Sequence, residues 1–244
     1  MATLLAGLVL PMTASAESAS PIDASPIIHY SFDNALTSKT IANEGSAANS
    51  DATLSGDATV ANGQINLTGS QTISVPTTAI AGKKDVTVSI WLKNNYGNGN
   101  TAAAYIGAAK TGNYPANGYW LLNPANPSGY AKSVMTNATA AHPNNSPWGT
   151  EVGPGSTNAA TTGTKATSDL ALYTTVISGT NSTMSFYLNG KQVGDVTYTI
   201  PAGGLTNYGG LVAYIGKSSY ADPNSKLDVD DYAVYDTAIS AADV

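Results

Sequence analysis

Along most of the chain, large apolar residues alternate with small or polar ones. That is the period of a half-buried β-strand, not the 3.6 of a helix. The plainest case is VTVSIWLK, Val86 to Lys93: Val86, Val88, Ile90 and Leu92 point one way, and Thr87, Ser89 and Trp91 the other. IIHYSF sets Ile28, Tyr30 and Phe32 on one face. QINLTG, QTISVP, AAYIGAA, GYWLLN, DLALYTTVIS and LVAYIG add further short strands between turns. In MSFYLNGKQVGDVTY the Asn189-Gly190 pair supplies the positive φ angles of a two-residue hairpin. LDVDDYAVYDTAIS, Leu227 to Ser240, closes the series with one side in a core. Only Ser240 to Val244 reads as a turn of helix. Roughly twelve to fourteen short strands without interruption predict an all-β sandwich of two sheets.

Two regions break this pattern. Asn123 to Thr167 is dense in Pro, Asn, Gly, Ser and Thr, and reads as long surface loops around one or two short strands. At the start, Leu4 to Leu10 is a short apolar run, and Ala14-Ser15-Ala16 is a small-x-small cleavage site. Residues 1–16 are therefore expected to be a signal peptide with a truncated basic region, 17–26 a linker and 27–244 the folded domain. The apolar run is too short to span a membrane and no other approaches that length. The expected location is secreted or on a bacterial cell surface. The end at Asp243-Val244, just after the final strand, reads as a cut at a domain boundary.

Composition narrows the chemistry. The net charge is -6, with ten Lys and Arg and no basic stripe, which argues against nucleic acid. Cysteine is absent, excluding disulfides and thiol chemistry. Two histidines far apart, His29 and His142, make a transition-metal centre a poor expectation. Fourteen tyrosines and three tryptophans stand against two phenylalanines. Tyr and Trp pair an apolar face with a polar edge, which suits stacking on a sugar while bonding its hydroxyls. The candidates are Trp148, Tyr119, Tyr130, Trp120, Tyr114, Asn123 and His142. The neutral amides mixed with them, Asn113, Asn117, Asn123, Asn126, Asn144 and Asn145, point to a neutral oligosaccharide or polysaccharide, since an acidic one would favour Arg or Lys. Trp91, mid-strand, is assigned mainly to packing, though a concave sheet face would expose it.

Asp228, Asp230 and Asp231 sit at the start of the last strand. A carboxylate beside an apolar strand face must be paired, protonated or bound to a cation, and a cluster of them points to a hard metal ion. Solvent-facing or turn-capping carboxylates are the plainer alternative.

Four segments, HYSFD, VTVSIWLK, MSFYLNGKQVG and VDDYAVYDTAIS, together resemble the bacterial laminin-G-like branch of the concanavalin A-like lectin/glucanase superfamily. The resemblance implies a jelly-roll sandwich of two curved antiparallel sheets, found beside catalytic modules in secreted glycan-degrading enzymes. It implies a structural Ca²⁺ held by Asp33 and by Asp230 or Asp231, with carbonyls of the Asn43-Glu44-Gly45 loop contributing. It also implies a non-catalytic carbohydrate-binding accessory module whose partner is a catalytic module in the same polypeptide. The alternative is a structural or protein-interaction module that positions such a neighbour.

Glycoside hydrolases of the superfamily need two carboxyl groups about 5 to 10 Å apart across a cleft. The E-x-D-x-x-E pattern that supplies them is missing, and the glutamates are Glu17, Glu44 and Glu151 alone. A G-x-S-x-G elbow and phosphate-binding glycine signatures are missing too. The expectation is a module without catalysis of its own.

Overall fold

The computed structural model describes residues 24–136, 147–156 and 163–244. The expected signal peptide, most of the expected linker and His142 lie outside the described residues. Two large antiparallel sheets pack face to face as a jelly-roll-like sandwich.

The first sheet runs, edge to edge, through β16 (Lys191–Gln192), β15 (Thr183–Leu188), β14 (Ala171–Ser178), β7 (Asp85–Asn94), β19 (Lys226–Tyr235), β5 (Gln64–Thr68) and β4 (Thr59–Ala61). Two short strands attach to it: β1 (Ile28–Tyr30) on β19 and β17 (Tyr198–Thr199) on β15. The second sheet runs through β13 (Glu151–Val152), β12 (Lys132–Thr136), β11 (Tyr119–Asn123), β8 (Ala104–Ala108), β18 (Leu211–Ile215), β6 (Thr72–Val75), β3 (Ala52–Ser55) and β2 (Thr40–Ile41). A ribbon of β9 (Lys110–Thr111) and β10 (Tyr114–Pro115) stands apart from both.

The sheets meet along the positions the alternation singles out. Val86, Val88, Ile90 and Leu92 are all buried, and so are Ile28, Tyr30 and Phe32. They pack with Ile65 and Leu67 of β5, Tyr173 and Ile177 of β14, and Leu227, Val229, Tyr232 and Val234 of β19. From the second sheet come Ile106, Trp120, Leu122, Met135, Ala213 and Ile215. Asn189 and Gly190 have φ of 51° and 74°, as the hairpin between β15 and β16 requires. The described part of the Pro- and Asn-rich middle contributes two short strands, β12 and β13.

Two details depart from expectation. Trp91 does not pack inside. Its neighbours Ile90 and Leu92 fill the core, so the strand period turns the indole outward, where it is 37% exposed. The chain from Ala24 to Pro26 is held to the fold: Ala24 packs on Ala233, Tyr235 and Ile239, and the Pro26 carbonyl accepts the Ser46 N–H.

Replacing Ile90 by Ala removes a fully enclosed side chain from between the sheets. The expected cost is about 2–5 kcal/mol of unfolding free energy, as lost transfer energy plus a cavity. Urea denaturation measures it; a loss under 1 kcal/mol would contradict this placement.

Candidate functional site

The second sheet also carries apolar side chains on its outer face. Tyr105, Tyr119, Leu121 and Val134 are buried there, with Ala102 beside them and Val212, Tyr214 and Tyr220 packed over them. Register explains the grouping: Leu121 lies between Tyr105 and Val134, and Tyr214 lies across from Tyr105. The rings form a run, Tyr214 on Tyr105 at 6.2 Å and Tyr105 on Tyr119 at 5.6 Å, then edge-on contacts of Tyr220 with Tyr119 at 5.5 Å and Tyr114 at 6.0 Å. Gly107 faces Tyr119 across β8 and β11, and a Cβ there would collide with the Tyr119 Cα and Cβ. A bare backbone at this point lets the rings settle on the sheet.

Three excursions then wall a cleft of about 360 Å³ above this layer. The ribbon brings Tyr114, the 3-10 turn Pro147–Thr150 brings Trp148, and the loop from β18 to β19 brings Tyr220 and Asp222. Asn100, Thr101, Leu121, Asn123, Lys132 and Glu151 complete it. Tyr114 and Trp148 are 41% and 45% exposed, large aromatic side chains at the mouth of the cleft.

Beneath the cleft lies a polar chain. Glu151 is almost fully enclosed; its Oε2 accepts from Lys132 Nζ at 2.7 Å and its Oε1 accepts from the Tyr119 hydroxyl at 2.7 Å. The Tyr220 hydroxyl donates to the Tyr119 oxygen at 3.0 Å, and the Trp148 backbone N–H bonds the Tyr220 hydroxyl. Burial, and then the negative charge of Glu151, hold the Tyr119 hydroxyl well above its ordinary pKa, so it stays a donor. One buried carboxylate therefore ties β13, β12, β11 and two loops together. Both of its oxygens are engaged, which makes it a support of the cleft. Asp222 differs: it is accessible at the rim, yet the cleft walls exclude enough water to raise its carboxyl pKa, against the pull of Lys132.

The structure therefore sorts the expected sugar-binding residues. Trp148, Tyr114 and Asn123 line the cleft. Asn123 shapes its rim, its amide donating to the Gly99 carbonyl at 2.7 Å and accepting the Ala125 N–H at 3.0 Å. Tyr119 lies under the floor, fully buried, and acts through its hydroxyl. Trp120 is a correction: on the same strand it points the opposite way, fully buried between the sheets, where its indole N–H meets Ser133 Oγ at 3.1 Å. Tyr130 is also displaced from the cleft; it pairs with Lys165, whose ammonium lies 3.9 Å from the ring centroid. His142 lies outside the described residues. Tyr220, Asp222 and Lys132 were missed. Tyr220 carried a usable signal, a lone aromatic in the polar loop KSSYADPNS.

The expected cation ligands gather at a far corner. The backbone of Gly63 approaches Asp33, and Asp230 accepts from Gln64. Burial, then the charges of Asp231 and Asp33, raise the Asp230 pKa. Asp231 Oδ1 is engaged by His29 Nε2 at 2.8 Å. Gly45 is needed for a different reason: a Cβ there would lie 2.6 Å from the Ile27 carbonyl carbon, so glycine allows the loop to press on the start of β1. Among the described residues, no three His, Asp or Glu side chains converge so as to hold a metal ion.

Changing Glu151 to Gln leaves the Lys132 ammonium enclosed without its counter-charge. Unfolding free energy should fall by about 3–5 kcal/mol. E151L with K132M, which removes both charges, should recover most of it. A double variant no more stable than E151Q in thermal denaturation would contradict the pairing.

Comparison with curated protein sequences gives no match. Solved structures give many. Domain 4 of an extracellular arabinanase from Geobacillus stearothermophilus, determined with arabinotriose, superposes with a TM-score of 0.61 at 19% identity, covering 90% of this chain and 96% of that one. The receptor-binding domain of botulinum neurotoxin mosaic serotype C/D has a TM-score of 0.56 at 17% identity, covering 91% of this chain and 50% of that one. Trypanosoma rangeli sialidase has a TM-score of 0.57 at 11% identity over 90% of this chain and 31% of its own. The chain thus spans nearly all of the arabinanase domain but half or less of the other two, and at these identities the likeness is one of fold. A laminin-G family model matches residues 67–244, and with it the chain belongs to the concanavalin A-like lectin/glucanases superfamily.

Proposed function

We propose that the domain is a non-catalytic carbohydrate-binding module that takes a neutral glycan in the cleft between Tyr114, Trp148 and Tyr220. The observation that carries this reading is the pair of exposed aromatic side chains, Tyr114 and Trp148, lining a cleft over a buried hydrogen-bonded support. Rings fixed in advance lose little entropy on binding and offer a flat apolar surface to the C–H face of a sugar. Asp222 and the Asn100 amide supply polar partners for hydroxyls at the rim. Among the described residues Lys132 is the cleft's cation and it is engaged by Glu151, so they offer an acidic sugar no free positive charge there. The engagement of both Glu151 oxygens also argues against a general acid.

The arabinanase domain, a piece of a larger extracellular enzyme solved with an oligosaccharide, supports an accessory role beside a catalytic module in the same secreted or surface polypeptide. No helix among the described residues is long and apolar enough to cross a membrane.

Affinity electrophoresis through gels holding arabinan, xylan, mixed-linkage glucan or pectin tests the reading. At least one neutral polysaccharide should retard the wild type. W148A should lose that retardation while melting at the wild-type temperature. Retardation should also weaken in acid, because the acceptor form of Asp222 is lost as pH falls through a pKa raised above the ordinary carboxylate value. D222N should flatten that acid limb. Unchanged retardation in W148A, or tight capture of a catalytic module with no affinity for any glycan, would reject the proposal.

We propose further that Asp33 and Asp230 hold a stabilising Ca²⁺ at their corner, with backbone carbonyls and water completing its shell. The support is an acidic corner in which burial, then the charge of Asp231 and more weakly that of Asp33, raise the Asp230 pKa, a repulsion that a cation would relieve. At a hundredfold excess over Kd the ion would add about 2.7 kcal/mol. EDTA should lower the melting temperature and D33A should abolish that response; a melting curve indifferent to EDTA would remove the ion from the account.

A further inference from the structure

The outer face of the first sheet carries a second arrangement that neither the core nor the cleft uses. An open groove of about 490 Å³ is lined there by Trp91, Leu172, Tyr235, His29 and Asp231, with Ala24–Pro26 in its wall. Leu172 lies across from Trp91 on β14. On the other side the ladder between β7 and β19 slips: Val229 pairs with Leu92 and pairing resumes at Tyr232 with Ile90, leaving Asp230 and Asp231 together beside Trp91. An extra residue in one strand re-aims a side chain, and bulges recur beside binding sites for that reason.

Here the re-aimed group is Asp231. Its Oδ1 lies 2.8 Å from His29 Nε2, and His29 Nδ1 lies 3.8 Å from Glu44 Oε2, so the carboxylate is fixed from behind. Among the described residues its Oδ2 makes no hydrogen bond, and the side chain is 45% exposed. The hydroxyls of Ser89 and Thr174 bond each other at 3.1 Å in the same face. The groove thus holds an open indole, a fixed carboxylate with one free oxygen and a small hydroxyl floor. Asp231 and Glu44 outnumber His29, so the local charge disfavours an acidic ligand.

We propose that this groove is a second glycan subsite, which seats a neutral sugar residue with its C–H face on Trp91 and a hydroxyl donated to Asp231 Oδ2. The proposal rests on the glycan-binding reading of the domain but uses none of the cleft's residues. Two subsites on opposite outer faces let one domain bridge two polysaccharide chains, gaining retention on an insoluble glycan without tighter binding at either site.

Indole N–H signals in ¹H–¹⁵N NMR test it, with Trp91, Trp120 and Trp148 assigned through W91F and W148F. The probes are arabinotriose, xylotriose, cellotriose and laminaritriose. In W148F the Trp91 signal should move saturably with at least one of them, and adding D231N should weaken that site about tenfold, the worth of a hydrogen bond to a charged acceptor. A Trp91 signal unmoved by all four overturns the proposal. So does one that moves with protein concentration alone, which would mark the face as a contact between two copies. Movement of Trp148 without Trp91 overturns this subsite and leaves the cleft standing; movement of Trp91 without Trp148 supports the subsite and overturns the cleft.

Discussion

The fold depends on the pairing of its last strand. β19 enters the middle of the first sheet, hydrogen-bonded along one edge to β7 and along the other first to β5 and then to β1. A ten-residue strand in that position joins the two ends of the described domain and supplies Leu227, Val229, Tyr232 and Val234 to the core. Because side chains alternate strictly, its register decides which residues face inward on three neighbours at once. Tyr232 stacks on Tyr30 at 6.0 Å only because β1 is paired in that register. The bulge at Asp230-Asp231 adjusts it: one residue more on this strand keeps apolar positions inside on both sides of the slip while turning carboxylates toward the surface. Loss of this strand would remove the centre of the sheet, not an edge.

A sandwich with two sheets has two inner faces and two outer ones, and this domain uses both kinds. The inner faces close against each other with aliphatic side chains and buried rings, among them Tyr30, Tyr173, Tyr232 and Trp120. The outer face of the second sheet is also apolar, a layer of tyrosines that loops must cover. The cover is not seamless, and the gap is the cleft. Its shape depends on Glu151, whose buried carboxylate holds Lys132 and Tyr119 and, through Tyr119, Tyr220. A buried ion pair is a poor source of net stability but a strict one in geometry, since neither charge tolerates losing its partner. That strictness is what a site made of loops requires.

The strands and the core positions were legible in the sequence because the period of two is local. Val86 to Leu92 needs no knowledge of its partners to declare its faces. The same logic, carried further, would have placed Trp91 outside, as the odd member of that strand. The cleft was half legible. Trp148 and Tyr114 could be found as large aromatics among polar residues, but Trp120 and Tyr119 are adjacent, and sequence proximity hid the fact that adjacent strand residues face opposite ways. Lys132 and Glu151 are 19 positions apart and meet only because β12 and β13 are neighbours in the sheet, a pairing that no local pattern announces. Asp222 arrives from yet another connection. The acidic cluster at the last strand was visible, but its division into an Asp231 paired with His29 and an Asp230 bonded by Gln64 follows from the bulge, which is a property of the ladder and not of the residue order.

The central claim is that the tyrosine-floored cleft on the second sheet is where a glycan sits. A crystal structure of the domain with the neutral oligosaccharide that binds it most tightly tests this directly. The account predicts a sugar ring lying against Trp148 within reach of Tyr114, its hydroxyls bonded to Asp222 and Asn100, with Glu151 still joined to Lys132 and Tyr119 beneath it. A well-ordered sugar bound elsewhere with the cleft empty, or one seated only after the Glu151 pairing has broken, would contradict it.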